Sequence, residues 1–477
     1  MTKQHPQKHI IFRKKLILKF IALALASTQL YGQSIKISSD QQSARSIFKE
    51  LIEINTTHTF GNTTVAANAI VKRLKAAGFP DKDIQVIGPD LKNQNLIVRM
   101  RGTGKMPPIL LLAHLDVVEA RREDWSVDPF KFIEKDGYFY GRGTMDIKDG
   151  AAILVASFIR MRQEHFTPDR DLILALTAGE EGGEVYDGVE WLLKNHRSII
   201  DAEFCINMDA GDPQIIKGKR LLRTVQASEK SFLNFKLEVK NSGGHSSMPS
   251  KDNAIYRLAD GLTRLAKYDF PVQINEVTRS YFEKMSLFEE GQLAADMKTI
   301  ARNPMDTAAS LRLSASPYYN ALMRTTCVVT MVEGGHAENA LPQIAKAVVN
   351  CRVLPGVPEA AVLKTITEVL ADSQINTSVM TSLNNNPASP LTPELMKTVE
   401  EVTAKLWPGI TVVPIMEIGA TDGALLRSAG IPTYGISGVF LDVNDNRAHG
   451  KDERVGVKEF YDGFEYIFQL IKSFTSK

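Results

Sequence analysis

Five clusters of histidine and carboxylate are the residues of this chain with chemistry to perform. They are Ala113-His114-Leu115-Asp116, the loop Gly141-Arg142-Gly143-Thr144-Met145-Asp146, the pair Glu180-Glu181, Met208-Asp209, and Ala448-His449-Gly450 near the chain end. Imidazole and carboxylate are the ligand types of zinc and of other borderline divalent metals. His114 and Asp116 are two apart, so in an extended segment they share a face, and Asp116 can accept the imidazole's second N–H and fix its tautomer. Taken alone, the same pair fits a core histidine satisfied by a local acid. The side chains of Glu180 and Glu181 diverge, so one can ligate a metal while the other faces a substrate as a base. Glycine-flanked carboxylates of this kind are also common in solvated turns.

The first four clusters each follow an apolar, strand-like run, which is where an open α/β sheet gathers its ligand-binding residues. Runs at 96–100, 109–113, 172–176 and 204–208 are separated by helical stretches at about 150–164 and 188–196, after two helices near 43–54 and 65–78. That alternation predicts an α/β unit with a mainly parallel sheet. From Ser228 the rhythm changes: Leu233, Phe235, Leu237 and Val239 alternate with polar residues, a helix follows at 252–267, and alternating strands return at 325–332 and 346–353. One-sided strands predict an open antiparallel sheet covered on one face by helices, one of them at 358–371. After a turn-rich connector at 384–391, helix, strand and helix resume at 393–406, 412–416 and 422–429, and an amphipathic helix closes the chain at 457–474. The first domain is therefore expected to be interrupted and resumed, with boundaries at 33–228, 229–389 and 390–477.

Composition excludes several classes. The chain is 477 residues long, 44% hydrophobic and 23% charged, which argues against a disordered or coiled-coil protein. The formal charge of +2 gives no reason to expect a nucleic-acid partner. Residues 1–32 hold six lysines and arginines and no acid; subtracting them from the formal +2 leaves −4 for the rest. A basic start, an apolar run over 20–26 and a small residue at Gly32 read as an export signal, with cleavage after Gly32. A spanning helix needs ~20 apolar residues, and this run is broken by Lys19, Ser27, Thr28 and Gln29. An exported protein without a membrane span is expected. Of three cysteines, Cys205 and Cys351 sit in apolar runs as small hydrophobes, and spacing alone does not decide whether Cys327 and Cys351 pair. Gly141-x-Gly143 lacks the third glycine of a dinucleotide fingerprint, and Gly102-Thr103-Gly104-Lys105 lacks the spacing of a P-loop.

These motifs, with Asp146-Ile147-Lys148-Asp149-Gly150, Glu180-Glu181-Gly182-Gly183 and Ser242-Gly243-Gly244-His245-Ser246-Ser247-Met248-Pro249, resemble the dizinc exopeptidase family of glutamate carboxypeptidase, Gly-X carboxypeptidase, acetylornithine deacetylase, succinyl-diaminopimelate desuccinylase and the aminoacylases. The resemblance covers about 45–475 and implies a dizinc aminopeptidase-like α/β catalytic domain with an inserted α+β lid that can serve for dimerisation. It implies two zinc ions per chain, with cobalt or manganese as alternatives: His114 and Asp209 on one, Glu181 and His449 on the other, Asp146 bridging. It makes Glu180 the general base, Asp116 the partner of His114, and His245 a donor to the tetrahedral oxyanion, often reaching a partner subunit's site. The peptide after Asp146 is often cis in similar proteins. Arg352 resembles the lid arginine that grips a free carboxylate, a contact that can be bidentate, and Asn339 a substrate-facing position. The loop Tyr434-Gly435-Ile436-Ser437-Gly438 would offer backbone N–H groups. The implied activity is carboxypeptidase-like hydrolysis of a small peptide; an N-acyl-amino-acid amidohydrolase or a dipeptidase is the alternative. Three anionic ligands against two divalent cations leave a net charge near +1, a field in which a water between the metals ionises near neutral pH. Asp209, where deacetylases often carry Glu, leans toward peptide bonds, and the stretch 272–320 is longer than the simplest lids carry.

Overall fold

Residues buried on both faces build the centre of the molecule. In the computed structural model, which describes residues 37–182, 185–381 and 386–476, Ile109, Leu110, Leu111, Leu112 and Ala113 are all buried along the strand Met106–His114. A strand so placed needs cover above and below, which is why it reads as a continuous apolar run. The export signal, Gly183 of the paired-glutamate motif and the start of the 384–391 connector lie outside the described residues. A compact unit spans Ser43–Lys477. Just before it, Ser38 Oγ accepts a hydrogen bond from the Gln41 amide at 3.1 Å at the start of the helix Ser39–Glu53.

Ten strands form the large sheet, in the order Ile84–Ile87, Asn95–Met100, Arg170–Thr177, Met106–His114, Phe204–Asn207, Thr433–Gly435, Lys219–Glu229, Pro213–Ile216 and Leu441–Asp442, with Thr411–Glu417 also pairing Lys219–Glu229. Its middle is parallel: Met106–His114 lies between Arg170–Thr177 and Phe204–Asn207, all running the same way. Thr433–Gly435 on Phe204–Asn207, Thr411–Glu417 on Lys219–Glu229 and Leu441–Asp442 on Pro213–Ile216 are parallel too, so the sheet is mainly parallel as expected, with antiparallel pairs added to it. Ile84–Ile87 pairs Asn95–Met100, and Pro213–Ile216 pairs Lys219–Glu229, antiparallel across short connections. A hairpin can only join antiparallel neighbours, whereas a parallel crossover needs a dozen residues or more. The helix Lys148–Gln163 is buried along most of its length between the strand Met106–His114 and the closing helix Val457–Phe474.

The second sheet is antiparallel throughout: Thr326–Gly334, Ile344–Val353, Ser231–Lys240, Ile375–Val379. Leu233, Phe235, Leu237 and Val239 alternate inward and pack under the helices Ala254–Ala266 and Glu359–Leu370. This is the α+β lid that one-sided alternation predicts. Cys327 and Cys351 face each other across two of its strands and are joined by a disulfide. The long segment after 272 folds as four helices, Glu276–Met285, Gly291–Arg302, Thr307–Leu313 and Pro317–Met323. The first of them packs on Thr411–Glu417 of the large sheet, where Lys284 Nζ donates to the Val412 carbonyl at 2.7 Å.

Candidate metal centre

The strand Met106–His114 delivers His114 at its C-terminal end with 1% of its surface exposed. Its Nδ1 lies 3.0 Å from the backbone carbonyl of Asp116; a carbonyl only accepts, so Nδ1 carries the hydrogen and Nε2 faces the pocket. Nε2 stands 3.1 Å from Asp146 Oδ1, 3.8 Å from Asp209 Oδ1 and 3.9 Å from Glu180 Oε2. The Asp116 carboxylate is thus not the imidazole's hydrogen-bond acceptor, contrary to expectation. The strand ends at His114, so its two-residue alternation does not carry on to Asp116. That carboxylate instead accepts from the backbone amides of Glu180 at 3.4 Å and Glu181 at 3.0 Å and holds the paired glutamates in place.

Asp146 ends a loop that only glycine can turn at Gly143: φ is 88°, and a Cβ there would meet Val117 Cγ1 at 2.9 Å. The peptide from Asp146 to Ile147 is cis. Asp146 spans two histidines, Oδ1 toward His114 and Oδ2 2.9 Å from His449 Nε2. His449 Nε2 is also 3.0 Å from Glu181 Oε2. Ligand atoms of His114, Glu180 and Asp209 lie within 4.8 Å of one another, as do those of His114, Asp146 and Glu181. The structure therefore gathers His114, Asp146, Glu180, Glu181, Asp209 and His449 at one place.

The electrostatics say what such a cluster needs. Burial, then the Asp209 charge, pushes Glu180 well above the usual carboxylate range. Burial lifts Asp209 to about 7. Burial opposes charge on His114, but hydrogen bonds to Asp146 and Asp209 outweigh it and the imidazole holds its proton well above its ordinary value. Hydrogen bonds to Asp146 and Glu181 raise His449 to about 10. Asp146 is lowered despite its burial, because both histidines hold it ionised. The pocket concentrates negative charge that only bound protons or cations can balance. Two imidazoles with three or four carboxylates make a donor set suited to borderline divalent metals, and the residues fit that group.

A cleft of about 1100 Å³ opens over the cluster, lined also by Lys230, Phe232, Tyr318, Arg352, Glu417, Asp422 and Val443. Arg352 comes from the lid strand Ile344–Val353, its guanidinium carbon 5.1 Å from the centre of the Phe232 ring. The structure does not bring His245 or Asn339 into this cleft. They sit together on the lid, where Gly244–His245 pairs Ala340–Leu341 and His245 Nδ1 is 2.7 Å from Ser247 Oγ. Gly435 is also elsewhere than expected: it lies in a buried strand, its N–H donating to Gln226 Oε1 at 3.1 Å, and the amides of Ile436 and Ser437 are taken by Asn207 and Ala210 carbonyls. A strand of three residues leaves no periodicity to read.

Three residues the sequence reading passed over belong to this neighbourhood. Lys230 is fully buried, its Nζ donating to the Arg324 carbonyl at 2.8 Å. Asp422 accepts from Thr177 Oγ1 at 3.1 Å, and burial and nearby carboxylates raise it well above its usual range. Glu453 lies under the Asp146 loop, hidden in the sequence within the charged run Lys451-Asp452-Glu453-Arg454, which looks like a solvated turn.

Residues 110–473 match peptidase family M20/M25/M40. The chain is 27% identical over 380 residues to an N-fatty-acyl-amino acid synthase/hydrolase of Homo sapiens, covering 77% of this chain and 74% of that protein. It is 27% identical over 395 residues to a probable carboxypeptidase S-like protein of Dictyostelium discoideum, covering 80% and 75%. Its fold is that of an M20 family metallo-carboxypeptidase from Sulfolobus solfataricus, with a TM-score of 0.69 at 16% identity over 92% of this chain and 99% of that one. The matched span holds every residue of the histidine–carboxylate cluster and exceeds half the sequence: this chain belongs to peptidase family M20/M25/M40, metallohydrolases that cleave amide bonds.

Proposed function

We propose that this protein is an exported exopeptidase that hydrolyses the amide bond next to a free C-terminal carboxylate. The observation that carries this reading is Arg352, a cation in the same cleft as Glu180 that no described carboxylate neutralises within ion-pair distance. A guanidinium so placed can grip a substrate carboxylate through two parallel hydrogen bonds. His114 and Asp209 would hold one zinc ion, Glu181 and His449 a second, and Asp146 both, with cobalt or manganese as alternatives. Such ions, when bound, polarise a carbonyl and can lower the pKa of water to ~7. Glu180, whose proton affinity burial has raised, takes a proton from the attacking water and returns it to the departing amine. Asp116 keeps Glu180 and Glu181 in register through their backbone amides.

A second reading has a specific observation in its favour. Phe232, Tyr318 and Val443 line the cleft with 41%, 41% and 43% of their surfaces exposed, an apolar wall that suits the acyl group of an N-acyl amino acid. One of the curated relatives is named for that substrate class. Incubation with a dipeptide library and an N-acyl-amino-acid panel distinguishes the readings; cleavage of only the acyl panel would displace the peptidase reading, and a demand for both free ends would indicate a dipeptidase.

Export is supported by the Cys327–Cys351 disulfide, which persists in oxidising compartments. Among the described residues no helix is long and apolar enough to cross a membrane. Sequencing the N-terminus of the mature protein tests cleavage after Gly32. A homodimer through the lid is supported by its edge strand Thr326–Gly334, which exposes Val328, Met331 and Val332. In such a dimer His245 would serve the partner's cleft, and sedimentation tests the oligomeric state.

A further inference from the structure

Glu453 is fully buried and accepts four hydrogen bonds: from Arg142 Nη1 at 2.6 Å and from the backbone amides of Gly143 at 3.0 Å, Met145 at 2.6 Å and Asp146 at 3.2 Å. It thereby holds the whole turn that ends on Asp146. Arg142 belongs to that turn and reaches back, its Nη2 donating to the carbonyls of His449 at 3.4 Å and Gly450 at 3.1 Å. Its guanidinium carbon also lies 5.0 Å from the centre of the Trp125 ring. The two loops are some 300 residues apart in sequence, and this pair grips each from the other. His449 needs such support. Its side chain is 54% exposed and its backbone sits at φ 61°, a conformation that side chains rarely adopt, so packing does little to fix the ring. His114 and Asp209, in contrast, follow strands in the middle of the large sheet.

We propose that the buried Arg142–Glu453 pair is a positioning element that docks the His449 loop onto the Asp146 loop, and so sets the affinity of the one metal position completed by His449 and Glu181. This rests on the two-metal reading above. Removing the pair loosens Asp146, which both positions share, but it weakens the position of His114 and Asp209 less, because those two ligands are carried by the sheet. Groups that orient metal ligands typically alter metal affinity ~10–100-fold.

The test is calorimetric titration of metal-stripped full-length protein with zinc, comparing wild type, Glu453→Gln and Arg142→Lys, with thermal melts to establish folding. As a control, Glu229→Gln disrupts another buried pair, Glu229 with Arg427 at 3.0 Å. Wild type is expected to take up two equivalents. Glu453→Gln should bind one equivalent ~10–100-fold more weakly and the other with a smaller loss. Arg142→Lys keeps the charge but loses the fork, and should shift the same site in the same direction by less; it carries the test should Glu453→Gln not fold. Glu229→Gln should lower the melting temperature without selective loss of one metal. Two equivalents at wild-type affinities in the folded pair variants, equal weakening of both sites, or the same selective loss in Glu229→Gln would overturn the proposal. Fewer than two equivalents in wild type would overturn the two-metal reading and the proposal with it.

Discussion

Replacing Arg352 with methionine keeps an apolar stem against Phe232 and removes the guanidinium, leaving substrate polarity as the quantity under test. The arginine stands in the cleft with no described carboxylate within ion-pair distance, so its removal strands no buried anion. Lys230 cannot take its place: it is fully buried, and its amino group already donates to the Arg324 carbonyl and to Thr326 Oγ1. The expected loss is therefore one charge-assisted contact, ~1.5–3 kcal/mol. At ~1.36 kcal/mol per factor of ten, kcat/KM should fall roughly 10- to 150-fold for a peptide with a free C-terminus. The assay is a two-by-two comparison of wild type and Arg352→Met on one peptide as free acid and as C-terminal amide. Amidation should cost wild type about as much as the mutation does, and should cost the variant little, because the interaction is then already gone. Equal losses on acid and amide would refute the reasoning. Tolerance of amides with a strict demand for a free amino end would make the protein an aminopeptidase.

The other predictions address the metal ligands and the lid. Asp146 faces both histidines, so Asp146→Ala should lower zinc uptake from two equivalents to one or none by elemental analysis; retention of two would remove Asp146 from the bridge. Hydrogen bonds to neighbouring carboxylates outweigh burial and raise His114 well above its ordinary value and His449 to about 10, so ligation, which needs the neutral imidazole, competes with proton binding. Zinc affinity should therefore weaken as pH falls, and calorimetry in buffers of different protonation enthalpy should report net proton release; heats that do not depend on the buffer would contradict this. The Cys327–Cys351 bridge spans 24 residues, a loop whose closure is worth ~3 kcal/mol in the chain-entropy model. Its double alanine variant should unfold at lower urea, and an unchanged midpoint would show that the bridge adds nothing to stability.

Much of this was legible because periodicity and chemistry coincide. The helices Pro393–Leu406 and Val457–Phe474 are bounded where their apolar spacing places them, and the antiparallel lid follows from the alternation of Leu233, Phe235, Leu237 and Val239. His114, Asp146, Glu180, Glu181, Asp209 and His449 could be picked out because each lies beside a strand end or glycine turn in a recognisable motif. What stayed hidden was tertiary. Asp116 looked like an imidazole partner until the end of its strand released it to hold the paired glutamates. Gly435 looked like a loop because its strand is too short to show alternation. The sequence assigned no role to Glu453 or Arg142, since nothing local records that the fold encloses them together. The antiparallel pairs of the large sheet followed from its hairpins, not from the α/β rhythm at its centre.

The central claim is that Glu180 moves the proton while its neighbours hold the metal. Glu180→Gln keeps the shape of the side chain and removes the base. Metal content and turnover of this variant, measured on one preparation beside wild type, test the claim most directly. The account predicts wild-type metal content with kcat lowered ~10²–10⁴-fold, the usual contribution of a general base. Wild-type kcat at saturating substrate would contradict it, and loss of metal together with activity would make Glu180 a ligand, as its place within 4.8 Å of the His114 and Asp209 ligand atoms permits.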